Sequence, residues 1–202
     1  NKLANDLYDR DDIKAIIGPL NNDHIETMAN VMYDKGIPMF VMTSSEDIVR
    51  RYSSGTAGVA IKKPFMWSLS STDITQSQLI LAKIASMGIK KMSIISASNK
   101  YGETFNRWIP YYANEMELDI VDRVQYSSSN ELETEMNKIC ESETEVVICA
   151  LHNADDVKTV LQTTKNNPNA PKVYFTGSAL NTALLNLGTL AEGAEGFSMY
   201  PS

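Results

Sequence analysis

In the stretch Lys91–Trp108, KMSIISASNKYGETFNRW, an apolar run from Met92 to Ala97 stops at Ser98-Asn99-Lys100, turns at Tyr101-Gly102 and enters a helical pattern at Glu103. A short apolar run bounded by turn residues predicts a strand buried on both faces, as strands of parallel sheets are. The loop after it lies at the carboxyl end of the strand, the edge of an open α/β sheet where small molecules sit. Tyr101 therefore offers a ring and a hydroxyl at a place suited to holding one.

The same strand–loop–helix grammar recurs on both sides. Leu3 to Arg10 is helical in pattern, and Ile13–Ile17 reads as a buried strand closed by Gly18-Pro19. Asn21 to Asp23 can cap the next helix, with Asp23 and Glu26 spaced as a capping box; its apolar face is Ile25, Met28, Ala29 and Met32 and it stops at Lys35-Gly36. Ile37–Met42 is the next strand, ending at Thr43-Ser44-Ser45, so strand, helix and strand form a parallel βαβ unit. From Glu46 to Lys63 the pattern weakens, with a loop signal at Ser53-Ser54-Gly55-Thr56. Phe65–Leu69 is apolar again, and Ser70-Ser71-Thr72-Asp73 is a polar connector that predicts a crossing between two lobes, 1–69 and 70–202.

Beyond the connector, Ile74 to Met87 reads as a helix, followed by the strand Met92–Ala97 and the helix Glu103–Glu117. Ile120–Gln125 is a strand, and Ser127 to Asn130 caps a helix running through Cys140. Val146–Leu151 is a buried strand whose loop, His152 to Asp155, feeds the helix Asp156–Thr164. Val173–Thr176 is a strand with Gly177-Ser178-Ala179 at its carboxyl end, then a short helix Thr182–Leu187 and an extended stretch Gly193–Met199.

Composition narrows the function classes. The 202 residues suffice for one large domain or two lobes with separate cores. A net charge of −7 gives a nucleic-acid role no electrostatic support, and Arg50-Arg51 and Lys62-Lys63 read as solvated loop charges. Cys140 and Cys149 fall in a helix and a strand without CxxC spacing. A zinc site is not supported, and two buried free thiols are favoured over a disulfide. No apolar run reaches membrane-spanning length. The start at Asn1-Lys2-Leu3, without an initiator Met, reads as that of a processed product, an excised piece or an ordered remnant.

The ordered set AIIGPLNND, IPMFVMTSSED, FMWSLSSTD, MSIISASNKYGETF, VVICALHNADD, VYFTGSAL and AEGAEGF resembles the type I periplasmic binding proteins. The nearest branch is the one that serves branched-chain amino acid ABC transporters and the related receptor ligand-binding regions. Each motif is weak alone; their order and spacing along nearly the whole chain carry the resemblance. It implies a two-lobed α/β fold with parallel sheets flanked by helices, closing around a small ligand. Against that pattern the chain reads as partial, with half of lobe one and most of lobe two. A half-lobe exposes core and sheet edge, which favours a dimer through the lobe-one edge.

Carried over residue by residue, the resemblance marks Asn21 and Asn22 before a helix whose first N–H groups suit an anion, although Asp23 opposes one and plain capping competes. Thr43, Ser44 and Ser45 match a carboxylate-holding strand end. Tyr101 matches the lobe-two tyrosine, and His152 a position often aromatic. Ala179 stands where the amino-acid binders place an acid against the ligand's ammonium. Asp155, on the neighbouring loop, is the substitute at a different angle. Burying an unpaired ammonium is costly, so the resemblance with Ala179 points away from an α-amino acid.

Three readings follow. One is an extracytoplasmic solute-binding protein of an ABC transporter, lipid-anchored in a longer parent and serving a membrane permease. It captures a small polar molecule, an amino acid or a related compound, between two lobes by a hinge near Leu69–Thr72 without catalysis, cofactor or metal. Another is an envelope lipoprotein or receptor domain that docks on a protein partner. An enzyme is disfavoured, because GxSxG, P-loop, GxGxxG and metal-ligand spacings are missing and neither His24 nor His152 has a neighbouring nucleophile. A repressor has neither a helix-turn-helix pattern nor the charge.

Overall fold

The computed structural model describes residues 2–53, 64–151, 153–179 and 182–197. His152, the Ser54-Gly55-Thr56 part of the loop signal, Lys62-Lys63 and the end of the stretch expected to run to Met199 lie outside the described residues. The chain divides into two compact units, Asn1–Asp73 and Ile74–Ser202. The polar connector goes with the first of them. The Asp73 N–H donates to Ser44 O at 2.7 Å, and the Glu46 N–H donates to Asp73 Oδ1 at 3.3 Å.

The first unit is a parallel sheet in the order β1 (Ile16–Ile17), β2 (Met39–Val41), β3 (Met66–Ser68), preceded by α1 (Lys2–Tyr8) and crossed by α2 (Asn22–Met32) and α3 (Glu46–Ser53). Strands laid down consecutively by right-handed crossovers put both helices on one face. Ile25, Met28, Ala29 and Met32 of α2 and Ile48 and Tyr52 of α3 indeed share one core with Met39, Val41 and Met66. The other face carries a row of register partners, Ile17, Phe40 and Trp67, which are 86%, 36% and 43% exposed. The Phe40 and Trp67 rings stack at 5.6 Å.

Where the pattern of the sequence weakened, α3 forms. Glu46 and Asp47 in its first turn and Arg50 and Arg51 in its last complement the helix dipole. Ile48 and Tyr52, one turn apart, supply its buried stripe. The box expected at Asp23 and Glu26 is not the cap of α2. Of the stretch Asn21 to Asp23 it is Asn21 that caps it, accepting from the N–H groups of Asp23 and His24 at 2.9 and 3.4 Å, while Glu26 pairs with Arg51 at 2.7 Å.

The second unit is doubly wound. Its strands are β4 (Lys91–Ala97), β5 (Asp119–Tyr126), β6 (Val146–Ala150), β7 (Lys172–Phe175) and β8 (Glu195–Gly196), all parallel in the order β5-β4-β6-β7-β8. On one face α4 (Asp73–Ser86) and α5 (Lys100–Glu115) pack through Ile80, Leu81, Ile84, Phe105, Ile109 and Ala113. On the other, α6 (Ser129–Glu141) and α7 (Ala154–Asn166) pack through Leu132, Met136, Val157 and Val160, flanked by a 3-10 helix, Thr182–Leu190. β4 lies between β5 and β6 and is buried from Met92 to Ala97, so its residues face a core on both sides. Complete burial of Ile94 and of Ile95 contributes about 1.5–3 kcal/mol each. Edge strand β5 alternates in exposure, and where its register shifts the Ser93 hydroxyl accepts the Asp122 N–H at 3.1 Å.

Tyr101-Gly102 is not a turn before the helix but part of the first turn of α5. Asn99 is the cap, its Oδ1 accepting from the Gly102 N–H at 3.0 Å. Glycine is required at 102 by proximity: a Cβ there would lie 2.0 Å from the Ala97 carbonyl oxygen and 2.8 Å from its nitrogen. The helix thus starts pressed against the end of β4, and Tyr101 is set by that contact. Gly102→Ala should cost about 3 kcal/mol, as overpacking against backbone does, read as a lower midpoint in urea unfolding of the second unit.

Candidate functional site

Each unit gathers its polar candidates at the carboxyl ends of its own strands. In the first, residues 43–45 leave β2 and enter α3. Thr43 Oγ1 donates to Asn22 Oδ1 at 2.7 Å and accepts the Ser45 N–H at 3.0 Å, while Ser68 Oγ donates to Thr43 O at 2.6 Å. Ser45 Oγ accepts the Ile48 N–H at 3.4 Å and so caps α3. Thr43 and Ser45 are 1% and 2% exposed, and Ser44 is buried too. The structure therefore brings Asn22, Thr43 and Ser45 together, while Asn21 spends its side chain on capping α2. One donor is left over. Asn22 Nδ2, on a side chain about nine-tenths buried at the start of α2, has no hydrogen-bond partner among the described residues.

In the second unit, the sheet order reverses between β4 and β6, since α5 leads away to β5 and α6 leads back. The crevice at such a switch point is where doubly wound sheets take ligands. Tyr101 sits beside it, half-buried, its ring 5.0 Å from that of Phe105. Its hydroxyl is engaged with the loop after β7: it is 2.7 Å from Thr176 Oγ1 and accepts the Ser178 N–H at 3.1 Å. Ser178 Oγ in turn donates to Leu151 O at 2.7 Å, and the Gly177 N–H donates to Gln76 Oε1 at 3.0 Å.

After β6, Asn153 caps α7 by accepting the Asp156 N–H at 2.8 Å. Asp155 is exposed in the first turn of α7, whereas Asp156 is buried. Asp156 accepts from Tyr126 Oη at 2.7 Å, Asn153 Nδ2 at 2.9 Å and Ser129 Oγ at 3.3 Å, tying together the ends of β5 and the starts of α6 and α7. Burial, and then the adjacent Asp156 carboxylate, push the Tyr126 phenol well above its ordinary range. Ala179 is only 1% exposed and packs in the core with Leu151 and Phe175, so its methyl group is a packing element beneath the loop. Gln76, Thr176 and Asp156 escaped the sequence reading. Asp156 had a signal, its spacing three residues after the cap Asn153; Gln76 had none.

Both cysteines are free and buried, and burial raises each thiol, Cys149 the more strongly. Among the described residues no group of three His, Cys, Asp or Glu side chains could hold a metal ion, and no helix is long and apolar enough to cross a membrane.

Comparison with known proteins gives the family. The family model described as periplasmic binding protein matches residues 1–202. The chain belongs to the periplasmic binding protein family. Among solved structures of this fold, an ABC transporter substrate-binding protein from Desulfitobacterium hafniense is 19% identical with a TM-score of 0.76, the match covering 99% of this chain and 55% of that one. An R. palustris solute-binding protein in complex with benzoate is 13% identical, TM-score 0.81, covering 96% and 52%. A branched-chain amino acid ABC transporter protein from Thermus thermophilus with bound valine is 16% identical, TM-score 0.80, covering 96% and 48%. The chain thus spans about half the length of these relatives. No curated protein shows significant similarity to it.

The Thr43 network is testable without any ligand. Thr43→Val keeps the shape but leaves Asn22 Oδ1 and the Ser45 N–H without their buried partner. The first unit should lose about 2 kcal/mol, measured as a shift in its urea-unfolding midpoint.

Proposed function

We propose that this periplasmic binding protein is the solute-binding component of an ABC transporter, working outside the cytoplasm, holding a small carboxylate between its two lobes and closing on it by hinge motion without catalysis. The observation that carries this reading is the Asn22 amide nitrogen: a buried donor without a partner, beside a helix N-terminus. Buried polar groups are nearly always paired, and a carboxylate oxygen is the complementary acceptor for an N–H at a helix start. The relatives are consistent with this in their printed ligands, leucine, valine, benzoate and 4-hydroxybenzoate, which share a carboxylate and differ in whether an ammonium accompanies it. Ala179 offers that ammonium a buried methyl, the three hydrogen bonds on Asp156 commit its carboxylate within the fold, and Asp155, the substitute acid, lies exposed in the first turn of α7. An acid without an ammonium fits better than an α-amino acid.

A thermal-unfolding screen tests the proposal, because a ligand that binds only the folded protein stabilises it by about 2.7 kcal/mol at a hundred times its Kd. Aromatic and aliphatic monoacids should raise Tm, and the corresponding α-amino acids should raise it less. A larger shift with leucine or valine than with benzoate would overturn the preference, and no shift with any carboxylate would overturn the solute-binding reading.

One observation favours a second reading, a domain that docks on protein, with a second copy of this chain as the first partner to test. The Ile17, Phe40 and Trp67 row is apolar and exposed, and parallel sheets are ordinarily covered on both faces. On this reading the protein self-associates, and Trp67→Glu shifts sedimentation equilibrium to monomer. A wild-type protein that is already monomeric at every concentration would exclude self-association through this row.

A further inference from the structure

We propose that Gln76 and Tyr101 are positioning residues that hold the 176–178 loop in a fixed shape before a ligand arrives, so that affinity depends on them through the loop. This rests on the solute-binding reading and deepens it. The loop leaves β7 at the carboxyl edge of the second unit's sheet, beside the crevice flanked by Tyr101. Three elements grip it. From α4, Gln76 Oε1 takes the Gly177 N–H at 3.0 Å. From α5, the Tyr101 hydroxyl takes the Ser178 N–H at 3.1 Å and lies 2.7 Å from Thr176 Oγ1. From the end of β6, Leu151 O takes the Ser178 hydroxyl at 2.7 Å.

Two successive loop amides are thus held by side chains from two different helices, where a free loop would leave them to water or to a ligand. Gln76 is 3% exposed, so it has little surface with which to touch a solute. Its oxygen is also what fills the space at Gly177: a Cβ on that residue would lie 3.0 Å from Gln76 Oε1 and 3.4 Å from Phe197 Cδ1. A side chain at 177 would therefore press on this amide, which would have to give by a few tenths of an ångström. The Tyr101 ring packs 5.0 Å from that of Phe105 against the core, which fixes where its hydroxyl meets the loop. Ordering the loop in advance removes an entropic cost from binding.

The experiment compares wild type, Gln76→Leu, Tyr101→Phe, the double variant and Gln76→Glu by hydrogen-exchange mass spectrometry without ligand, and by calorimetric titration with leucine and with benzoate. In the free protein, Gln76→Leu and Tyr101→Phe should each speed exchange in peptides covering 176–179 by roughly tenfold. Exchange in β4 and β6 should not change, and Gln76→Glu, which keeps an acceptor, should restore protection. For whichever probe binds the wild type, each single variant should weaken affinity and the double variant should weaken it by little more, because both act on one loop. Unchanged exchange at 176–179 overturns the clamp whatever binds. Faster exchange with unchanged affinity overturns the positioning role while leaving solute binding intact. Binding of neither probe tells against the function proposed above, and the exchange result then decides the clamp alone.

Discussion

A parallel strand cannot be joined to its neighbour by a tight turn; the chain must climb back over the sheet before the next strand begins. Every strand therefore ends at one edge, and every crossover helix starts near it. In each unit this collects at one edge the groups that regular structure leaves over: helix N–H groups, capping side chains and strand-end carbonyls. The buried Asn22–Thr43–Ser45 set in the first unit and the Tyr101–Thr176–Ser178–Gln76 set in the second are two results of that constraint. Neither needs a ligand to explain most of its hydrogen bonds. The first has a remainder, the Asn22 amide nitrogen.

The two units answer the need to cover a sheet differently. In the second, the strand order reverses at β4, so helices fall on both faces and β4 and β6 are buried throughout. In the first, the order β1-β2-β3 never reverses, and both crossovers stay on one side. Among the described residues the row Ile17, Phe40 and Trp67 lies on the side that neither crossover takes. Its apolar content then says that the face is not adapted to water, since Phe40 and Trp67 follow buried residues of their strands, Ile17 follows the half-buried Ile16, and all three are apolar.

What the sequence made legible follows the same division. β4 and β6 could be read directly, because burial on both faces leaves a run that is apolar throughout in β6 and interrupted in β4 by the buried Ser93 and Ser96. The two-residue β1 could not be delimited, because Ile13 to Ile17 is apolar beyond the part that pairs with β2. For α3 the signal lay in charge and not in periodicity. Gly102 was misread because a glycine after a polar loop suggests a turn, and only the Cβ distance to Ala97 shows that it is there for close approach. In the site, residue types were legible and partners were not. Thr43 and Ser45 looked like ligand contacts and are largely committed to one another and to the start of α3, while Ala179 looked like a missing charge and is a packed methyl.

That difference between type and partner shapes the proposed ligand chemistry. A hydroxyl both donates and accepts, so a serine-rich edge by itself selects nothing. With the Thr43 hydroxyl donating to Asn22 and accepting from the Ser45 N–H, what this set keeps in reserve is a buried donor, the Asn22 amide nitrogen. A donor in low dielectric favours an acceptor, and an anionic acceptor more than a neutral one. An ammonium would face it as one donor faces another. Selection for a carboxylate thus arises on the proposed reading from hydrogen bonds already spent, and tolerance of an ammonium has to come from an acceptor elsewhere. The buried methyl of Ala179 is no such acceptor, and Asp156 already holds Tyr126, Asn153 and Ser129.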